Sequence, residues 1–196
     1  MALRNIPAAL RKNYEVHEWR HASAVLRTDF PNEWSDIIAV LSGFRFKKSQ
    51  ISVGGGAKSS VADSIDQGFF ARGWQEKKFA TQIRVDQNVI DSPTHKVDCF
   101  KNGVGVEIEW NNKTEFYDRD LNNFRLLFEL RALNVGVIMT RCDELQEIFD
   151  SLGRGSSYGA STTILSKLLR KLEGGGGGGC PVLVFGITKR LYDKNR

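Results

Sequence analysis

The sequence has no apolar run long enough to cross a bilayer. Its longest, Gly136 to Met139 and Pro181 to Ile187, fall far short of the roughly 20 residues a spanning helix needs. The N-terminus has no extended apolar segment of the signal-peptide kind, so the expected location is the cytoplasm, with no membrane partner. The three cysteines, Cys99, Cys142 and Cys180, are odd in number, widely spaced and without a CxxC pair. That argues against a disulfide framework and a cysteine zinc site, and leaves small buried hydrophobes. There is no internal repeat, and low complexity is confined to Gly174 to Gly179, which reads as a loop leading into a strand.

At 196 residues, with 41% hydrophobic and 26% charged, the composition suits one compact domain over residues 1–196. A net charge of +5 suits a polyanionic partner without demonstrating one.

The spacing of Val16, Trp19, Ala22, Val25 and Leu26, and then Asp36 to Leu41, predicts two helices between Arg11 and Leu41. A glycine-rich loop covers Ile51 to Ser60, and a helix follows from Val61 to Arg72. The period then changes. Strands are predicted at Phe79 to Val85 and Val97 to Phe100, and Val104, Val106, Ile108 and Trp110 alternate with Gly105, Glu107 and Glu109. An amphipathic helix is predicted at Asp118 to Leu133, ended by Asn134, then a buried strand at Val135 to Thr140. Helices at Asp143 to Leu152 and Thr162 to Leu172 flank a polar loop at Gly153 to Ser161, and a strand at Val182 to Phe185 closes the chain. The expected class is α/β, a mixed central sheet with helices on both sides.

Strand alternation puts Glu107 and Glu109 on one face. The Lys101, Asn102, Gly103 turn brings Asp98 back beside them. Three carboxylates on rigid strands repel unless a positive group sits among them. Oxygen ligands favour a hard cation such as Mg²⁺, which polarises phosphate and activates water. Spacing alone fits solvated acids on an exposed sheet face better than a metal site, since exposed carboxylates are commonplace.

The run Val97-Asp98-Cys99-Phe100-Lys101-Asn102-Gly103-Val104-Gly105-Val106-Glu107-Ile108-Glu109-Trp110 resembles the active-site hairpin of the BglII/BstYI-like type II restriction endonucleases, an Asp followed after eight residues by Glu-x-Gln. Glu109 in place of Gln is similar to the Glu-x-Glu of BamHI, within the PD-(D/E)xK nuclease class. Gly73-Trp74-Gln75-Glu76 and Val182-Leu183-Val184-Phe185-Gly186-Ile187 resemble the flanking segments of BstYI, extending the likeness over Ile51 to Thr188. The resemblance implies a restriction-endonuclease-like fold and a homodimer cutting a palindromic double-stranded DNA site, by analogy one with a GATC core. It also implies Mg²⁺ held by Asp98, Glu107 and the Ile108 carbonyl, with Glu76 as an additional acid. Glu109 would orient or deprotonate the attacking water.

Asn111, Asn112 and Lys113, directly after the acidic strand, would then enter the major groove, where Asn pairs with adenine and Lys with guanine. Ser156, Ser157, Tyr158, Ser161 and Thr162 match a DNA-meeting loop of the family, and Lys58, Ser59 and Ser60 could grip phosphate. Each of these also fits an ordinary polar loop. Ala57 stands where a P-loop needs glycine, so no nucleotide cofactor is expected. Two other functions are compatible with parts of the chain. His17-Glu18-Trp19-Arg20-His21 fits HExxH, which on a helix would make a zinc metallohydrolase. A DNA-binding module without catalysis would keep the basic loops but needs no carboxylate cluster.

Overall fold

The structure, a computed structural model, describes residues 3–52, 59–92 and 94–194. In chain order the elements are α1 (Ala8–Asn13), β1 (Tyr14–Trp19), α2 (Ala22–Asp29), α3 (Pro31–Gly43), β2 (Phe46–Lys47), α4 (Lys48–Ser52), α5 (Ser60–Phe70) and β3 (Gln75–Lys77). There follow β4 (Gln82–Val85), β5 (Asn88–Asp91), β6 (Val97–Lys101), β7 (Val104–Glu109), α6 (Phe116–Glu129), β8 (Val135–Arg141), α7 (Gln146–Ser151), α8 (Leu165–Glu173), β9 (Val182–Ile187) and β10 (Tyr192–Asp193).

A six-stranded sheet runs in the order β1-β9-β8-β7-β6-β3. β7, β8 and β9 pair in parallel, while β1, β6 and β3 pair antiparallel to their neighbours. Parallel strands covered on both faces carry near-continuous apolar runs, and every residue of β7, β8 and β9 is buried. On one face Val104, Val106 and Ile108 pack with Trp34 and Ile37 of α3 and Ile65 of α5. On the other, Ile138, Val182 and Val184 pack with Phe124 of α6 and Leu168 of α8. Alternation along β7 therefore turns Gly105, Glu107 and Glu109 toward the α6 and α8 layer.

That layer sits close because of two glycines. A Cβ on Gly136 would stand 2.3 Å from the buried Phe124 ring, and one on Gly105 2.7 Å from Leu133. Gly136→Ala is expected to destabilise the fold by about 1–3 kcal/mol, the usual result of overpacking, measured by denaturant unfolding. An unchanged midpoint would contradict this packing of α6.

The acidic hairpin is closed by a two-residue turn with Asn102 at φ 47° and Gly103 at φ 85°, the left-handed pair such turns require. Asn102 Nδ2 donates to Glu33 Oε1 (2.8 Å) and Lys101 Nζ to Asp36 Oδ2 (2.8 Å), tying the turn to α3.

Three sequence expectations need correction. The first of the two predicted N-terminal helices is half strand: its Val16 and Trp19 part is β1, an edge strand paired antiparallel with β9 from Tyr14↔Ile187 to Trp19↔Val182, while Ala22, Val25 and Leu26 lie on α2 as expected. Only Tyr14 of β1 is buried, so its pattern is too weak to show a strand period and the β9 ladder decides. The predicted strand Phe79 to Val85 is reduced to β4, half of an exposed hairpin with β5. Helix α6 ends at Glu129 rather than beside Asn134, with Arg131 left-handed at φ 58° and Ala132 N bonding back to Leu127 O (2.9 Å). Among the described residues no helix is long and apolar enough to cross a membrane.

Candidate active site

The β6 and β7 ladder runs from the Lys101↔Val104 pair to Cys99↔Val106. Beyond it, side chains take over the exposed backbone donors. Asp98 Oδ2 accepts from Ile108 N (3.0 Å), and Glu107 Oε2 accepts from Asp98 N (3.3 Å). The N–H and C=O of one strand residue leave by the same edge, so the Ile108 carbonyl points to the side on which Asp98 lies.

Glu107 is 0% and Glu109 1% exposed, while Asp98 is half-buried. Glu109 Oε2 accepts from Asn112 Nδ2 (2.9 Å), and its Oε1 lies 3.4 Å from the Arg119 guanidinium. Arg119 also donates to Asp120 Oδ1 (2.8 Å) and stacks over Phe116. Asp120, 0% exposed on α6, completes a group of four acids. Burial first, then the Asp120 and Asp98 charges, hold the Glu107 carboxyl well above the ordinary carboxylate range. Burial and Asp120 also raise Glu109, and burial raises Asp120 despite the opposing Arg119. Glu107 Oε1 and Asp120 Oδ2 have no hydrogen-bond partner among the described residues.

These features fit a hard cation: two Glu carboxyls raised by burial and by neighbouring acids, a buried orphan oxygen and a strand carbonyl beside them. Among the described residues no three or more His, Cys, Asp or Glu side chains are grouped so as to hold an ion by themselves. Two carboxylates and a carbonyl leave the remaining positions to water and substrate phosphate, the usual arrangement for Mg²⁺.

Glu76, expected as an additional acid, is exposed and pairs with Lys96 at 2.5 Å. It lies on the rim with Asp98, both opposing the lowering of the His95 pKa by burial and Arg119. Lys58 lies outside the described residues. Ser59 and Ser60 are used locally: Ser59 Oγ caps α5 by accepting from Ala62 N (3.0 Å), and Ser60 Oγ donates to Gln50 O (3.3 Å).

The two expected reading segments are joined into one. Lys113 and Thr162 form an antiparallel bridge. Thr163 N donates to Asn112 O (2.8 Å), and Asn111 Nδ2 to Ser157 O (3.0 Å). Lys113, Ser156, Ser157 and Ser161 are exposed. Tyr158 is not available at this surface: it is 6% exposed and stacks on Phe149 at 3.8 Å between ring centroids, a core position. The Asn112 amide is occupied by Glu109, and the Thr162 hydroxyl by Arg141 (2.6 Å) and Gly159 O (2.7 Å).

The HExxH match does not make a zinc site. His17 and Glu18 are neighbours on β1 and so point to opposite faces, and His21 is in the left-handed turn that follows. Glu18 accepts from Ser23 N (3.1 Å) and Ser23 Oγ (2.6 Å).

Asp120, Arg119 and Arg141 escaped the sequence reading. Asp120 had a signal: it lies three residues after Tyr117 and four before Phe124, an acid on the buried stripe of an amphipathic helix.

A mixed sheet flanked by helices, with an acidic hairpin at its centre, is the restriction-endonuclease-like fold. The sequence matches the family described as restriction endonuclease BglII/BglIII over residues 14–187, and the chain belongs to that family. It is a type II site-specific deoxyribonuclease, a hydrolase that binds double-stranded DNA. No individually curated protein matches it.

Proposed function

We propose that the chain hydrolyses phosphodiester bonds with Mg²⁺ at a short palindromic site, using Asp98, Glu107, Glu109 and the Ile108 carbonyl. The observation that carries this reading is the fully buried Glu107 Oε1 beside Asp98, without a hydrogen-bond partner among the described residues, on a carboxyl that burial and then the neighbouring acids raise. Asp98, Glu107 and the Ile108 carbonyl would hold the ion. Once bound, a divalent ion lowers the pKa of water and offsets charge building on the phosphate.

Glu109 would orient or deprotonate the attacking water. Asn112 and Arg119 hold its two oxygens from opposite sides and so restrict its rotation. Asp120 supports Arg119 from beneath. Glu76 would meet a phosphate or an ion only after its pair with Lys96 opens. Lys113, Ser156, Ser157 and Ser161 form the exposed edge that would meet DNA, with Asn111 beside them. The resemblance to BglII, BstYI and BamHI supports a GATC core, and sequencing the ends of plasmid fragments tests it. A single palindromic sequence at every end is expected, and mixed ends would overturn site specificity.

One acidic cluster per chain can cut one strand at a time, so cleavage of both strands of a palindrome requires two copies related by a two-fold axis. The N-terminal helices and α6, where Leu126 is 36% exposed and Leu130, just past the helix end, 53% exposed, are the surfaces proposed for this contact. Light scattering is expected to give a dimer with a cognate duplex. A monomer both free and on the duplex would defeat the symmetry.

A further inference from the structure

Arg141, the last residue of β8, is 0% exposed. A buried guanidinium is costly unless its donors are satisfied, yet its Nε and Nη1 have no partner among the described residues. Its two hydrogen bonds both come from Nη2 and both go to one segment: Tyr158 O (2.9 Å) and Thr162 Oγ1 (2.6 Å). The charge lies 5.4 Å from the Phe149 ring centroid and 5.5 Å from that of Tyr158. Burial lowers the guanidinium pKa to about 10, which leaves it charged at neutral pH.

Arg141 is thus anchored in the rigid sheet at one end and holds the middle and the end of the 154–162 segment at the other. It directly follows Thr140, the residue registered against Glu109 on β7. From the segment, the Lys113↔Thr162 bridge and the Thr163 bond to Asn112 O lead back to Asn112, whose amide holds Glu109. Lys167 of α8 grips the same segment from the other side, through Thr162 O (2.8 Å) and Ala160 O.

We propose that Arg141 is a positioning residue for sequence discrimination. Its Nη2, donating both hydrogens to the segment, fixes where residues 154–162 stand beside β7, and so where Ser156 and Ser157 meet the base edges. Through Asn112 the same scaffold links that position to Glu109. The inference rests on the reading, given above, that this segment meets DNA. A lysine keeps the charge but ends one bond short of the Nη2 that makes both contacts, and Thr162→Val removes one acceptor while leaving the guanidinium in place.

The test compares kcat and KM on the duplex identified from fragment ends with those on duplexes altered at one base pair. Arg141→Lys, Thr162→Val and a Ser156→Ala, Ser157→Ala double variant are assayed beside the parent, with thermal melting as the control for folding. Arg141→Lys and Thr162→Val are each expected to lower the cognate-to-altered ratio of kcat/KM by about 10- to 100-fold, the scale of one misplaced base contact. A merely structural role would lower melting temperature and active fraction but leave that ratio intact. Folded Arg141→Lys that keeps the ratio, while the serine double variant loses it, overturns this inference alone. A serine double variant that keeps both ratio and affinity overturns the reading of the segment and the inference with it. Where Arg141→Lys does not fold, Thr162→Val decides, with loss of the ratio supporting the proposal and its retention overturning it.

Discussion

Asp98→Asn is expected to lower cleavage by on the order of 10²- to 10³-fold or more, the scale seen when one electrostatic stabiliser of a transition state is removed. The carboxylate at this position faces the edge on which the Ile108 carbonyl emerges, and the buried Glu107 takes its backbone N–H. Removing the charge weakens the proposed hold on the ion without emptying a core position. DNA binding should survive, because the exposed edge at Lys113, Ser156 and Ser157 is untouched. Metal-free affinity for a cognate duplex should stay level or rise, since one negative charge near a phosphate is gone. The loss should therefore fall on kcat. A folded Asp98→Asn protein that cuts at the parental rate, or that cuts slowly only because it no longer binds DNA, would place the metal site elsewhere.

The second large effect is a pH dependence of stability that is largest without metal. Burial and Asp120 raise Glu109 from 4.5 to about 9. A group raised in the folded state stabilises the fold fully below its unfolded pKa, and that contribution is lost as pH rises through the folded value. In EDTA the Glu109 contribution should therefore fall from about pH 4.5 to about pH 9. A divalent ion that binds only the folded cluster should oppose the fall. Relative to Glu109→Gln, the parent is expected to lose melting temperature across that window in EDTA. The difference should shrink when Mg²⁺ is present. Parallel melting curves for parent and variant at every pH in EDTA would show that Glu109 is not held protonated by its surroundings.

The acidic hairpin was legible because its physical signals agree. Val104, Val106 and Ile108 alternate with unlike partners, and Asn102-Gly103 is a strong two-residue turn. β8 and β9 were legible as short apolar runs between polar loops. β1 was not, because an edge strand with one buried residue has no face to mark, and Val16 and Trp19 fit by accident the helical spacing that continues into α2 at Ala22. Strand β8 was read one residue short for a related reason. Arg141 looks like an exit from the core, whereas the tertiary structure closes the 154–162 segment over it. Asp98, Glu107 and Glu109 could be found by spacing and resemblance, but the fourth acid comes from a helix and depends on how closely α6 approaches Gly105 and Gly136. That the 111–113 and 154–162 segments form one unit could not be seen either, since the Lys113↔Thr162 bridge joins positions far apart in the chain.

The most direct test of the central claim is digestion of plasmid DNA by chelated protein before and after Mg²⁺ is added back, with fragment ends sequenced. Uncut plasmid in EDTA and discrete fragments sharing one end sequence after Mg²⁺ are the expected results. Cleavage that persists undiminished in EDTA, or DNA that is bound and shifted but left unbroken with Mg²⁺ present, would contradict a metal-dependent, site-specific cut at the Asp98 and Glu107 cluster.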